Sequence, residues 1–220
     1  MKGRKMVLLG ILCLVAASAR PDRAIFIGNT SEFEEKLSIE AFREVKEYYE
    51  NLGFYVSEGS FPTILFQDPI SVNGKAFVHS MGLFELDSMV VRIVRFDSRM
   101  FQHQGFLGDT SENMYYSIIV HEFAHYMNAL VSPGLSYVSS ELIAGAVQVD
   151  LMNPETRLRM LSREGITRFS TYRDISFSTY LQGPQNFIVA SYLYCNEHPK
   201  MFLRFLNQRI PEIKDPFFFD

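Results

Sequence analysis

Cysteine is nearly absent from these 220 residues: Cys13 and Cys195 are the only two. Cys13 lies in an N-terminal apolar run expected to be cut away, so one cysteine stays and no intramolecular disulfide can form. A fold without that staple rests on its core, and a chain of this length can bury one. Cys195 closes the apolar stretch Ile188–Tyr194 and reads as a small buried hydrophobe. Basic stretches are missing too. The formal charge is −4, and it becomes −7 once the first 19 residues leave with their three cations Lys2, Arg4 and Lys5. A mildly acidic chain without a basic stripe makes nucleic acid a poor partner. Internal repeats, low-complexity tracts and Gly/Ser linkers are absent, so residues 20–220 are expected to form one domain. Tryptophan is absent as well, and nothing follows from it. With 47% hydrophobic and 21% charged residues, the composition is that of an ordinary globular protein.

The first residues have their own layout. Lys2, Arg4 and Lys5 precede an apolar run from Met6 to Ala17, followed by the small-x-small pattern Ala17-Ser18-Ala19 and the polar Arg20-Pro21-Asp22-Arg23. That is the pattern of a secretory signal peptide over residues 1–19. The run is too short to span a bilayer comfortably, so no stable membrane span is expected after its removal. The rival reading is an uncleaved N-terminal anchor. Lipidation at Cys13 is excluded by the bulky Leu12 just before it. The mature chain is therefore expected outside the cytoplasm, periplasmic or secreted.

The rest divides into a β-rich part to residue 112 with one long helix, and a helical part from 113. Ser31 to Asn51 carries Phe33, Leu37, Ala41, Phe42, Val45 and Tyr49 at mostly three- and four-residue spacing, with Ser31 and Glu34 placed as a capping box. Strands are expected at Ala24–Gly28, Phe54–Val56, Thr63–Gln67, Lys75–His79 and Met89–Phe96, with turns at residues 57–59 and at Asn73-Gly74. Arg92 and Arg95 interrupt the apolar residues of the last, which suits a half-buried or edge strand. Helices are expected at Asn113–Val131 (capped near Asp109 or Ser111), Ser139–Asp150, Pro154–Arg163, Gln185–Tyr194 and Pro199–Arg209, and Phe217–Phe219 is expected to dock on the body. The pattern is α+β.

One motif carries chemistry: His121-Glu122-Phe123-Ala124-His125, inside the predicted helix and directly after Ile118-Ile119-Val120. Residues four apart sit about 40° from each other on a helix. Both imidazoles can then reach one zinc ion at roughly 2.0–2.1 Å. Glu122 is offset and can address a metal-held water, whose pKa zinc lowers to about 7, accepting its proton during attack. Two His and a Glu are costly to place in a core helix without a partner. A third ligand is needed. Residues 126–134 hold no histidine, and the next candidate is Glu141, alone among Leu142, Ile143, Ala144, Ala146 and Val147. Asp150 is the alternative. His79 and His103 stand alone and read as solvated or hydrogen-bonded residues.

With these residues the chain resembles the gluzincins, in particular the small peptidase MA-like group. There HExxH is followed, after a loop with Pro and an apolar residue, by a second helix reading roughly E-G-L-A-E/D-Y. Here Pro133 and Leu135 precede Glu141-Leu142-Ile143-Ala144-Gly145-Ala146. The resemblance covers much of residues 31–150. It implies a zincin-like fold, with a small twisted, mostly N-terminal sheet, an active-site helix and a helical C-terminal part. It also implies one zinc on His121, His125 and Glu141, Glu122 as general base, and a peptide or protein substrate. A strand beside the metal helix, Met89–Phe96 in this reading, would pair with extended substrate.

The family often places an acid four residues after the ligand Glu to buttress a ligand histidine; here Gly145 stands there. That role falls to a backbone carbonyl, Asp150 or Gln148. Tyr172, Tyr180, Tyr192 and His198 are candidates to stabilise an oxyanion. The alternative function is a catalytically weak or inactive gluzincin-fold protein that binds zinc or a protein partner.

Overall fold

Ser31 opens the first long helix through a capping box. Its hydroxyl accepts the Glu34 N–H at 3.2 Å, and the Glu34 carboxylate accepts the Ser31 N–H at 2.9 Å. The computed structural model describes residues 25–57, 59–77, 80–106, 108–163 and 168–207. The expected signal peptide at 1–19, His79, residues 164–167 and Phe217–Phe219 lie outside the described residues. The elements run β1 (Ile25–Ile27), α1 (Glu32–Asn51), β2 (Thr63–Gln67), β3 (Ile70–Val72), β4 (Lys75–Phe77), β5 (Gly82–Glu85) and β6 (Val90–Val94). Then come α2 (Arg99–Gln104), α3 (Glu112–Val131), α4 (Tyr137–Asp150) and α5 (Pro154–Leu161). After a 3-10 turn at Tyr172–Asp174 follow α6 (Phe177–Gln182), α7 (Pro184–Glu197) and α8 (Pro199–Leu206). The architecture is α+β, with a small mixed sheet near the N-terminus and a helical C-terminal part.

Four strands form the sheet in the order β1-β2-β6-β5, with β1, β2 and β6 parallel and β5 antiparallel to β6. Ile64 and Phe66 of β2 lie beside Val91 and Ile93 of β6, and all four are buried. Arg92 points the other way, where Glu85 of β5 meets it at 2.7 Å. The strand at 89–96 is therefore half-buried as its pattern suggests, but it is interior and not an edge. Its arginines do not mark an edge, because an interior strand also has a face that can be polar if it finds partners. The edge beside the helices is β5. Phe54–Val56 is irregular chain and not a strand. β3 and β4 form a separate hairpin across Asn73-Gly74, both at positive φ (50° and 77°), the geometry of a tight two-residue turn.

α3 is the axis of the molecule. From Met114 to Asn128 every residue but Tyr116 is buried. α1, β5 and β6 pack on it from the N-terminal side, and α4 packs along it from the other. α7 lies on α4 in turn. A helix enclosed this way is apolar nearly all round, so any polar side chain on it faces protein.

Candidate metal centre

Ser111 caps α3 and Ser136 caps α4, each hydroxyl accepting a backbone N–H three residues on. The turn between them carries Pro133 and Gly134, and it is short enough to lay α4 along α3. This brings the start of α4 against the middle of α3. His121 Nε2 and His125 Nε2 are 3.0 Å apart. Glu141 reaches both, Oε2 at 3.4 Å from His121 Nε2 and Oε1 at 3.5 Å from His125 Nε2. Two donors about 2 Å from one tetrahedral ion lie about 3.3 Å apart, so the three spacings fit a common ion. His121, His125 and Glu141 form a buried group that could hold a metal ion.

Electrostatics prepare the donors. Burial pushes the His125 pKa down to about 4, with His121 adding to the effect and Glu141 opposing it. His125 is thus a neutral imidazole at physiological pH, as a ligand must be. Burial also pulls His121 down, but Glu141 and Glu122 outweigh it and its pKa is raised. Glu141 is held below the usual carboxylate range: burial opposes this, and His125, His121 and Tyr137 overcome it.

Glu122 is buried beside the cluster without joining it. Burial, reinforced by Glu141, raises its pKa to about 8, against the pull of His121 and the backbone N–H of Phe84. Its carboxylate lies on Gly82 of β5, where any Cβ would overlap it. The glycine is there for space, and β5 is the wall that fixes this side chain.

Two cavities meet at the cluster. One, of about 570 Å³, runs past Ile118, Phe106, Gln185, Asn186 and Ile188. The other, of about 610 Å³, is walled by Leu83, Phe84, Ala129, Pro133, Leu135 and Tyr137. Ser80, Gly82, His121, Glu122, Glu141 and Tyr180 line both. Of the four candidate oxyanion donors, only Tyr180 faces these cavities. Its hydroxyl accepts from Tyr137 at 3.2 Å, and burial next to Glu141 raises the pKa of both phenols, so they stay protonated donors. Tyr172 sits on the surface, Tyr192 is half-buried near Tyr48, and His198 is an exposed helix end against Tyr194. His103 is exposed on α2.

Asp150 is not a ligand. It lies exposed at the end of α4, 3.6 Å from Arg157. Gln148 is buried, and its Nε2 donates to Ser117 Oγ at 3.2 Å. Sequence reasoning passed over Ser140, whose hydroxyl is 2.8 Å from His125 Nδ1, and Asn128, which donates to Ser140 and accepts from Tyr49 at 2.7 Å. It also missed Tyr137, Gly82 and Ser117. A signal existed: Ser117, His121, His125 and Asn128 recur at four, four and three residues, a polar stripe on an otherwise apolar helix.

Fold and site together define an α+β protein with a buried two-histidine, one-glutamate cluster between paired helices and a second, displaced carboxylate, Glu122. Residues 63–208, about two thirds of the chain, match a family of unknown function, DUF6639, and the chain belongs to that family. The match spans β2 to α8 and includes every residue of the cluster. No curated protein and no solved structure matches the chain.

Proposed function

We propose that this chain is a zinc-dependent metallopeptidase of the zincin-like, gluzincin type, exported after loss of residues 1–19 and acting on peptide or protein substrates. The observation that carries the reading is the His121–His125–Glu141 triangle with Glu122 buried beside it where two cavities meet. Two imidazoles and one carboxylate suit zinc, whereas magnesium and calcium prefer all-oxygen sites. His121 and His125 through Nε2 and Glu141 through its carboxylate would hold the ion. When bound, zinc supplies Lewis acidity, polarising a carbonyl and acidifying water.

The chain's own groups do the rest. Glu122 takes the proton of the attacking water and returns it to the leaving amine, the work of a positioned carboxylate beside the reacting atoms. Tyr180, backed by Tyr137, donates to the oxygen that gains charge. β5 offers its outer edge to an extended substrate, the role that the gluzincin resemblance implied for 89–96. The apolar walls around Leu83, Leu135 and Tyr137 favour apolar side chains on that side of the cut.

The test begins with metal content. Purified protein should carry close to one zinc, lost in His121→Ala and in His125→Ala. Glu122→Ala should keep the zinc and lose peptide cleavage by about 10²–10⁴-fold, the usual contribution of a positioned general base. A zinc-loaded wild type that cleaves nothing in a broad peptide library would leave the alternative, a zinc-binding module without turnover. A wild type that takes up no zinc would remove both.

A further inference from the structure

We infer that Gln148 is the positioning residue of His121, holding its ring as the Nδ1–H tautomer with Nε2 turned toward Glu141 and His125. The inference rests on the metal-centre reading above and assigns a role that the helix pattern left open. His121 Nδ1 and Gln148 Oε1 are both buried, and neither has a hydrogen-bond partner among the described residues. Gln148 acts directly on His121, in the sense of an acceptor that favours its proton. Each group is thus the missing partner of the other.

The orientation of the amide is fixed independently. The single Ser117 hydroxyl proton goes to the Met114 carbonyl at 2.8 Å, so Ser117 Oγ can only accept from its other neighbour. That neighbour is Gln148 Nε2, at 3.2 Å. The amide nitrogen is committed to Ser117, which leaves Oε1 for His121. His125 is held in the same way on its own side, by Ser140. A ligand histidine ordinarily gives its second ring N–H to such an acceptor, which sets tautomer and ring angle.

The structure also bears on why position 145 does not do this. A Cβ there would stand 3.0 Å from Ile188 Cα of α7, so any side chain longer than glycine's would crowd the close approach of two helices. Gln148, one turn further along α4, reaches the same ring.

The experiment uses the full chain and zinc alone, with affinity measured by chelator competition and the His121 ring read by nitrogen-15 NMR in the zinc-loaded protein. Gln148→Leu should weaken zinc binding about 10–100-fold and expose the His121 Nδ1 proton to rapid exchange. Gln148→Glu should restore the protected proton and wild-type or tighter affinity. Ser117→Ala keeps the volume and frees the amide to rotate; it should give a smaller loss, and it carries the test if Gln148→Leu misfolds. Wild-type affinity and an unchanged ring proton in Gln148→Leu or Ser117→Ala would overturn the assignment while leaving the metal centre standing. Equal losses in the Leu and Glu variants would also overturn it, because shape alone would then matter. A wild type that binds no zinc would instead overturn the metal centre itself.

Discussion

α1 and α3 are both 20-residue helices opened by a serine cap, and each buries glutamate, yet the two glutamates live in opposite environments. Glu34 of α1 is held at both oxygens. Its Oε2 accepts from the Ser31 N–H and hydroxyl, and its Oε1 from the Phe96 N–H at 2.9 Å, while the Tyr115 hydroxyl 3.5 Å away gives its proton to the Val94 carbonyl. Glu122 of α3 has little to hold it, and burial raises its pKa to about 8. A buried carboxylate with both oxygens engaged ties elements together. One left poorly solvated is poised to take up a proton, which is how strained electrostatics mark working sites. The helices differ for the same reason. α1 buries one stripe and turns Glu40, Arg43 and Glu47 outward, whereas α3 has no outward face over most of its length and must turn its polar residues inward.

The strongest way to break the comparison is at the wall that fixes Glu122. Gly82→Ala should displace the carboxylate and cut cleavage on the order of 10²-fold, the usual effect of a small misplacement at a reacting centre, with zinc content unchanged. Loss of zinc from that variant would mean that β5 positions the ligands and not the base. The reverse experiment is Glu34→Ala. It removes a cap and leaves buried donors unpaired, so it should cost about 2 kcal/mol in urea unfolding and leave zinc affinity untouched. A fall in affinity would show that α1 is more than scaffold.

A third experiment sharpens the electrostatic half. In the metal-free protein the folded-state pKa of Glu122 lies above its unfolded value. The stability this group contributes is therefore complete below about pH 4.5 and is lost as pH rises through about 8. Glu122→Gln mimics the protonated form. It should match wild type near pH 4 and exceed it by several kcal/mol, at most about 5, at pH 9, measured by thermal unfolding across that range. Equal stability at both pH values would mean that the carboxylate is better solvated than its burial implies.

Much of this was legible residue by residue. The capping box at Ser31, the tight turn at Asn73-Gly74 and the cap and stop of α3 are local signals, and each forms as its few residues dictate. β5 was not legible. Gly82-Leu83-Phe84-Glu85 is short and starts on a glycine with little strand preference; pairing with β6 and the bulk of Glu122 place it. The edge was assigned to residues 89–96 because alternation reports a polar face, and a polar face is not the same as an unpaired backbone. α6 also went unseen, since six residues behind a Ser176 cap carry too little periodicity to register.

The sequence by itself determined that His121 and His125 share a helix face with Glu122 offset from both, because 3.6 residues per turn leaves no other outcome once that helix forms. It also narrowed the third donor to Glu141 or Asp150. Only the tertiary structure decided between them. It brought Glu141 to both histidines, set Ser140 against His125 and Gln148 against Ser117, put Tyr180 alone of the four candidates on the cavities, and set Gly82 under Glu122. Those choices depend on how α4 and β5 pack on α3 and how α6 packs on α7. Packing is a contest over shared space between residues far apart in the chain, and local periodicity carries no record of its result.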